Sequence, residues 1–337
     1  LRKNYLSANP MKPKMQAVTR SSYGSADCLT LAEVDQPVLT DSGVLVRVHA
    51  ASVNAGDWHL MRGEPFLIRP IYGGLFKPKI KILGFDMAGR VAAVGKDVKQ
   101  FQPGDEVFGD LTESGFGAFA EYVCAPETAL ALKPTSLSFE AAAAVPGAGL
   151  TALQALQLGQ VQSGQRVLIN GASGGVGSFA VQLAKAFGAE VTALCSSQKI
   201  DMVRSLGADQ VMDYSEVDVT QTGQRYDLIL DAAAYRSVLD YRPVLAPKGI
   251  YVLVGGSTAR LFQVLLLGAG ISWFMGRRVK CLVSKPNQAD LLTLKQLLEA
   301  GKIVPCIDQS YDLSQVPAAI RHLEQRHVRG KVVIRVQ

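Results

Sequence analysis

What this sequence lacks narrows its class before any motif is read. Its five cysteines, Cys28, Cys124, Cys195, Cys281 and Cys306, are odd in number, widely spaced and without a C-x-x-C pair. That argues against a disulfide framework and a structural zinc site, and points to free thiols in a reducing compartment. Charge is sparse, with charged residues at 19% against 48% hydrophobic. Such a composition supports large packed cores and argues against disorder. No run of Lys or Arg is long enough to argue for nucleic acid. The net charge of +6 reads as a mildly basic surface, the sharper alternative being attraction to phosphate-bearing cofactors or acidic membranes.

No secretory leader pattern is visible, so the expected location is the cytoplasm or an organelle stroma. Residues 1–14 form a polar, basic tail whose origin stays open among an added tail, a processed leader and a natural arm. No apolar stretch reaches the roughly 20 residues of a transmembrane helix. The longest, LFQVLLLGAGISWFMG (261–276), also carries Gln263 and three glycines. It is expected to be a buried lobe or a subunit contact. A substrate-pocket lid and a peripheral membrane contact are the alternatives.

What is present has a two-part rhythm, and 337 residues favour about two domains at roughly 150 residues each. Short β-like runs come first: VLVRVHAASV (44–53), MAGRVAAVG (87–95) and DEVFGD (105–110), separated by turn signals. Near Ala141 the pattern changes. RVLIN (166–170) reads as a buried parallel strand, GASGGVG (171–177) as a glycine loop, 178–187 as a helix and EVTALC (190–195) as a second strand. A helix over 198–206 and strands at 210–213, 227–231 and 250–254 continue the alternation, which predicts an α/β doubly wound parallel sheet. After Val283 the chain leaves this rhythm, with a helix (288–300), a strand (303–307), another helix and a closing strand (331–336).

The glycines at 171, 174, 175 and 177 lie between strand and helix, where a bare backbone and a helix N-terminus bind pyrophosphate. The end of the second strand suggests which dinucleotide. An NAD site usually places a carboxylate there for the ribose hydroxyls. Here Cys195-Ser196-Ser197-Gln198-Lys199 precedes the first carboxylate, Asp201. Ser196, Ser197 and Lys199 are therefore candidates for a 2′-phosphate, which predicts NADP(H). The plainer alternative for the serines is helix capping.

Several further stretches carry a family resemblance: ASVNAGDWHLMRG (51–63), LGFDMAGRVAAVG (83–95), GDEVFG, GAFAEY, AAAAVPGAGLTALQAL, GASGGVG, SLGADQVMDY and the closing RGKVVI. In this order and from Met15 onward, the chain resembles the medium-chain dehydrogenase/reductase superfamily in its zinc-free quinone oxidoreductase branch. It looks closest to chloroplast-envelope quinone-oxidoreductase-like proteins and alkenal/enone reductases. The resemblance implies a GroES-like catalytic domain (15–149 and 284–337) interrupted by a Rossmann domain (150–283), with the active site between them.

The resemblance also implies residue roles. Where zinc-dependent members carry metal ligands, this chain has Asn54, Phe85-Asp86 and Gly147-Ala148-Gly149, which implies no catalytic zinc. Asn54 matches a residue beside nicotinamide and substrate, and Asp57 one that braces the same loop. Thr151 matches a residue near the nicotinamide or its phosphate. Gly174, Gly175 and Val176 match the pyrophosphate loop, and Lys199 and Tyr214 the 2′-phosphate site. Gly255 should line the nicotinamide pocket, and Lys331 should reach the cofactor. His59 departs from the Tyr or Lys of relatives. A histidine there could donate a proton near pH 7, the plain alternative being a loop histidine.

The implied activity is NADPH-dependent hydride transfer to a quinone or an α,β-unsaturated carbonyl. An NADPH-binding redox sensor or structural protein, docked on a membrane surface, is the competing class. RVKCLV (278–283) would be an edge strand of the Rossmann sheet, and an exposed edge is a liability, so a homodimer is expected.

Overall fold

A computed structural model describes residues 13–71 and 74–337. Of the tail expected at 1–14, residues 1–12 lie outside the described residues. The chain opens with an antiparallel pair, β1 (Lys14–Arg20) and β2 (Leu29–Asp35). Strand β3 (Gly43–Val53), helices α1 (Ala55–Arg62) and α2 (Ile68–Ile71), and strands β4 (Asp86–Val94), β5 (Glu106–Asp110), β6 (Tyr122–Pro126) and β7 (Leu130–Leu132) follow. Helices α3 (Phe139–Ala143) and α4 (Pro146–Leu158) lead away from them.

The alternating part then runs β8 (Arg166–Asn170), α5 (Gly175–Ala186), β9 (Glu190–Cys195), α6 (Ile200–Ser205), β10 (Gln210–Asp213), β11 (Tyr226–Asp231), β12 (Leu245–Leu253), α7 (Thr258–Met275) and β13 (Arg278–Cys281). The return comprises α8 (Gln288–Glu299), β14 (Ile307–Asp312), α9 (Val316–Glu324) and β15 (Lys331–Arg335).

Two large sheets organise these elements. One is a six-stranded, all-parallel sheet in the order β10-β9-β8-β11-β12-β13. This is the doubly wound Rossmann order, with the direction of winding reversing at β8 and β11. Val167, Leu168 and Ile169 of β8 are fully buried, as a strand covered on both faces requires. The other sheet has the order β14-β15-β3-β4-β5-β7, with β6 also pairing with β3. The late strands β14 and β15 thus rejoin the early ones.

The junction matters for the site. Gly330, just before β15, bridges to Gly174 of the glycine loop, and its N–H donates to Ser173 O at 2.9 Å.

Two sequence expectations need correction. The strand expected at 303–307 is absent, and β14 begins only at Ile307. Pro305 lacks an N–H for a ladder. The polar groups of Val304 pair instead with the Gln182 side chain, at 2.8 and 2.9 Å. The apolar stretch at 261–276 is not a buried lobe either. It lies in α7, where only Val264, Gly268, Ile271 and Met275 are buried, while Leu266 is 76% and Trp273 86% exposed. By length and composition alone α7 is long and apolar enough to cross a membrane, and it is the one such helix among the described residues.

Candidate active site

A cleft of about 1020 Å³ lies between the two sheets. It follows the carboxyl ends of the parallel strands at the winding reversal, where open α/β sheets bind ligands. Its walls include His59, Thr151, Gly174, Gly175, Val176, Ser196, Lys199, Tyr214 and Gly255. Asn54, Ser197 and Lys331 do not line it.

The glycine loop divides by function. An ideal Cβ on Gly177 would lie 2.1 Å from Gly171 O and 2.7 Å from Ala172 Cα, so this glycine is required by the turn itself. A Cβ on Gly174 would meet only Gly171 O, at 3.5 Å. The protein therefore leaves space at Gly174 that its own packing does not use. Helix α5 starts there, with Gly174 as its N-cap and its first N–H groups presented towards the cleft. Such an arrangement of open backbone and helix N-terminus can accept an anionic group. At the opposite wall, a Cβ on Gly255 would come no closer than 3.4 Å to Ala232 O.

Where the cleft passes the end of β9, Lys199 donates to Val328 O at 2.9 Å, and Tyr214 is 59% exposed. Burial is the main cause that holds the Lys199 pKa below its ordinary value. An arriving phosphate would oppose that shift by favouring the charged form. Ser197 is turned away. Its hydroxyl donates to Asp213, which also accepts from Ser215 N at 2.8 Å and from Ser215 Oγ at 2.6 Å. The hydrogen bond from Ser197 is the leading cause of the depressed Asp213 pKa. The expected contact from Ser197 to a cofactor is therefore replaced by a strand-end cap.

At the other end, polar groups gather behind the wall. Asp86 Oδ2 accepts from Ser52 Oγ at 2.7 Å and from Asn54 Nδ2 at 2.9 Å, and Asp86 Oδ1 accepts from Gly147 N at 2.7 Å. Lys331 Nζ sits 3.1 Å from Asp86 Oδ2 and also donates to Asn54 Oδ1. Lys331 thus points into this network rather than towards the cofactor space, contrary to the sequence expectation. Asn54 likewise spends both ends of its amide inside the network.

Asp57 accepts from the N–H groups of Asn54 and Gly84, each at 2.9 Å, which fits the bracing role expected of it. Burial nonetheless pushes Asp57 up to about 7. Burial, assisted by the Asp86 charge, does the same to Asp110. Thr151 Oγ1 donates to Gly147 O at 2.6 Å and so ties the cleft wall to the same cluster.

His59 lines the cleft, and its Nδ1 lies 2.9 Å from Glu64 O. A carbonyl only accepts, so Nδ1 carries the proton, and Nε2 is bare in the neutral ring. Burial lowers the His59 pKa. At neutral pH the ring is poorly suited to donate a proton from Nε2. A general acid contributes about 10²–10⁴-fold, so His59→Gln is expected to lower kcat far less than that, by under about tenfold. Steady-state kinetics at pH 6, 7 and 8 check this, and a loss of about 10²-fold at pH 6 that shrinks as the pH rises would restore the acid role.

Sequence reasoning missed several wall residues. Trp58, Phe85 and Phe116 make one end apolar, while Tyr235, Arg236 and Arg326 line another part. Arg326 stands over the Tyr235 ring at 5.1 Å and has a left-handed φ of 61°. No local pattern marks it, because a loop distant in sequence brings it to the cleft. Arg236 is paired with Asp218 at 2.6 Å.

Residues 40–135 match the alcohol dehydrogenase GroES-like domain, and residues 206–334 match a family described as zinc-binding dehydrogenase. The chain is 33% identical to the NADPH-dependent alkenal/one oxidoreductase, chloroplastic, of Arabidopsis thaliana, with 98% of this chain and 82% of that protein covered. The chain belongs to the medium-chain dehydrogenase/reductase superfamily, in its quinone-oxidoreductase-like branch. This member is also 34% identical to the quinone-oxidoreductase QR1, chloroplastic, of Triphysaria versicolor, over 95% of this chain and 98% of that one. The quinone oxidoreductase of Coxiella burnetii superimposes with a TM-score of 0.86 at 32% identity, covering 96% of this chain and all of that one.

The description of one matched family names zinc. Among the described residues, no three His, Cys, Asp or Glu side chains come together to hold a metal ion. Asp86 is already paired with an ammonium group.

Proposed function

We propose that this protein is an NADPH-dependent oxidoreductase that reduces a quinone or an α,β-unsaturated carbonyl without a catalytic metal. The observation that carries this reading is the cleft. Its one end offers Ser196, Lys199 and Tyr214, its middle offers the vacant backbone at Gly174, and its far end offers Trp58, Phe85 and Phe116. Those are, in turn, surroundings for a phosphate, a pyrophosphate and a flat apolar acceptor. The names of the similar proteins support the same substrates and cofactor.

NADPH, when bound, supplies the hydride. The chain's own residues provide orientation and a partly dry cleft. The α5 N-terminus and Gly174 hold the diphosphate, and Lys199 selects the phosphorylated ribose. Gly255 leaves one wall low, and Thr151 stands on the wall beside the Asp86 cluster. The aromatic end binds the acceptor ring or enone plane. Since Nδ1 of His59 is committed to Glu64 O, the proton that completes reduction comes from water at the cleft mouth.

Steady NADPH oxidation across a panel of quinones and enones tests the reading. Turnover with at least one class, and much weaker use of NADH, is expected. Cofactor binding without turnover by any acceptor would favour a sensor or structural role.

Assembly follows from the same fold. β13 is the edge of the parallel sheet, and α7 beside it presents Leu265, Leu266, Leu267, Trp273 and Phe274 to solvent. A second copy pairing along that edge would cover unpaired backbone groups. A dimeric mass in solution is expected, and a monomer that floats with lipid vesicles would indicate peripheral membrane docking instead.

A further inference from the structure

We infer that Lys331 is a built-in cation at the place where metal-dependent relatives hold their catalytic zinc, and that it acts as a positioning residue for metal-free turnover. The inference rests on the proposed reductase function. Its basis is the convergence of all three stretches that would carry zinc ligands: Asn54, Asp86 and Gly147. They do not merely lack thiolate and imidazole groups. They are joined to one another, and a lysine from the far end of the chain closes the cluster.

The Lys331 side chain is 2% exposed and that of its partner Asp86 is fully buried. A buried carboxylate without a counter-charge is strongly unfavourable. Asp86 therefore needs a cation, and the structure supplies Lys331 Nζ at 3.1 Å. The lysine stem reaches this place by crossing the glycine loop. A Cβ on Gly175 would lie 3.1 Å from Lys331 Cδ. Gly147 is fitted in the same way, because a Cβ there would come within 2.9 Å of Asp86 Oδ1.

The consequence for the reaction is indirect. The Lys331 ammonium is taken up by Asp86 and Asn54 behind the cleft wall, so the role inferred for it runs through these partners. It pins Asp86, and Asp86 holds the Asn54 amide and the Gly147 N–H near the start of α4. Gly147 O in turn accepts from Thr151, which does line the cleft. The ion pair thus fixes the wall beside the reacting groups from behind. A zinc ion entering this locus would have to displace the ammonium and would find too few N, S or O ligands.

The test compares Lys331→Met, Asp86→Asn and the double variant with wild type. It measures thermal melting, NADPH affinity by fluorescence, turnover, and zinc content after dialysis against Zn²⁺. Lys331→Met should melt well below wild type, because it strands Asp86. The double variant, with neither charge, should regain most of that loss. If the pair positions the wall, the double variant should still have kcat at least about tenfold below wild type with near-normal NADPH affinity. Wild type should retain no zinc.

A double variant with wild-type kcat would overturn the positioning role and leave a purely structural pair. Stoichiometric zinc in wild type, or a Lys331→Met variant that melts like wild type, would overturn the built-in cation. If wild type fails to oxidise NADPH with every quinone and enone tried, the proposed function fails and the positioning role falls with it. The melting and zinc measurements still decide the built-in cation separately.

Discussion

Replacing Ser196 with Asp and Lys199 with Gln in one variant is expected to reverse coenzyme preference from NADPH to NADH. Ser196 stands at the end of β9 and lines the cleft, where dinucleotide sites for NAD usually carry a carboxylate. Lys199 lies one short turn later, with its ammonium at Val328 O. Loss of one charge-assisted hydrogen bond to the 2′-phosphate costs about 1.5–3 kcal/mol. That corresponds to about 10–150-fold in kcat/KM for NADPH. The new carboxylate adds repulsion against the phosphate and can accept from the free 2′-hydroxyl of NADH. The ratio of the two kcat/KM values, in wild type and variant, measures the effect. An unchanged ratio would mean that the phosphate is bound elsewhere, with Arg326 the next wall cation to examine.

The second large effect separates two glycines of one loop. Gly177→Ala drives a methyl group to 2.1 Å from Gly171 O, and both neighbours in the clash are backbone. Overpacking of a rigid site costs about 1–3 kcal/mol, occasionally more, so a lowered melting temperature and loss of NADPH binding are both expected. Gly174→Ala meets nothing closer than 3.5 Å, and its φ of −82° suits alanine. That variant should melt like wild type and still bind NADPH at least about tenfold more weakly, because the methyl enters the pyrophosphate space. Parallel behaviour of the two variants would show that the vacancy at Gly174 is not a ligand cradle.

The elements that were legible in the sequence are those whose pattern is local. RVLIN and EVTALC are continuous apolar strands, and they form β8 and β9 with the expected bounds. Helix α5 starts at Gly175, earlier than the sequence suggests, because the loop glycines themselves adopt its first turn. The segment 303–307 looked like a strand by composition, yet Pro305 and the Gln182 side chain decide otherwise. β14 (IDQSYD) is polar enough to escape notice, and it is a strand only because β15 pairs with it.

The site shows the same division. The glycine loop and the missing carboxylate after β9 could be read from short spacings. The direction of Lys331 could not, since it depends on a contact with Asn54 across 277 residues of chain. Ser197 looked available for phosphate because Asp213, its acceptor, lies on another strand. The exposure of α7 was hidden too. An apolar composition states only that a surface seeks cover, not what provides it.

The most direct measurement of the central claim uses NADPH deuterated at C4 on one face or the other, in single turnovers with a quinone or an enone. The account predicts slower oxidation with deuterium on one face only, and recovery of that label on the β-carbon of a reduced enone. Oxidation with no isotope effect from either face, or no oxidation with any acceptor, would contradict it.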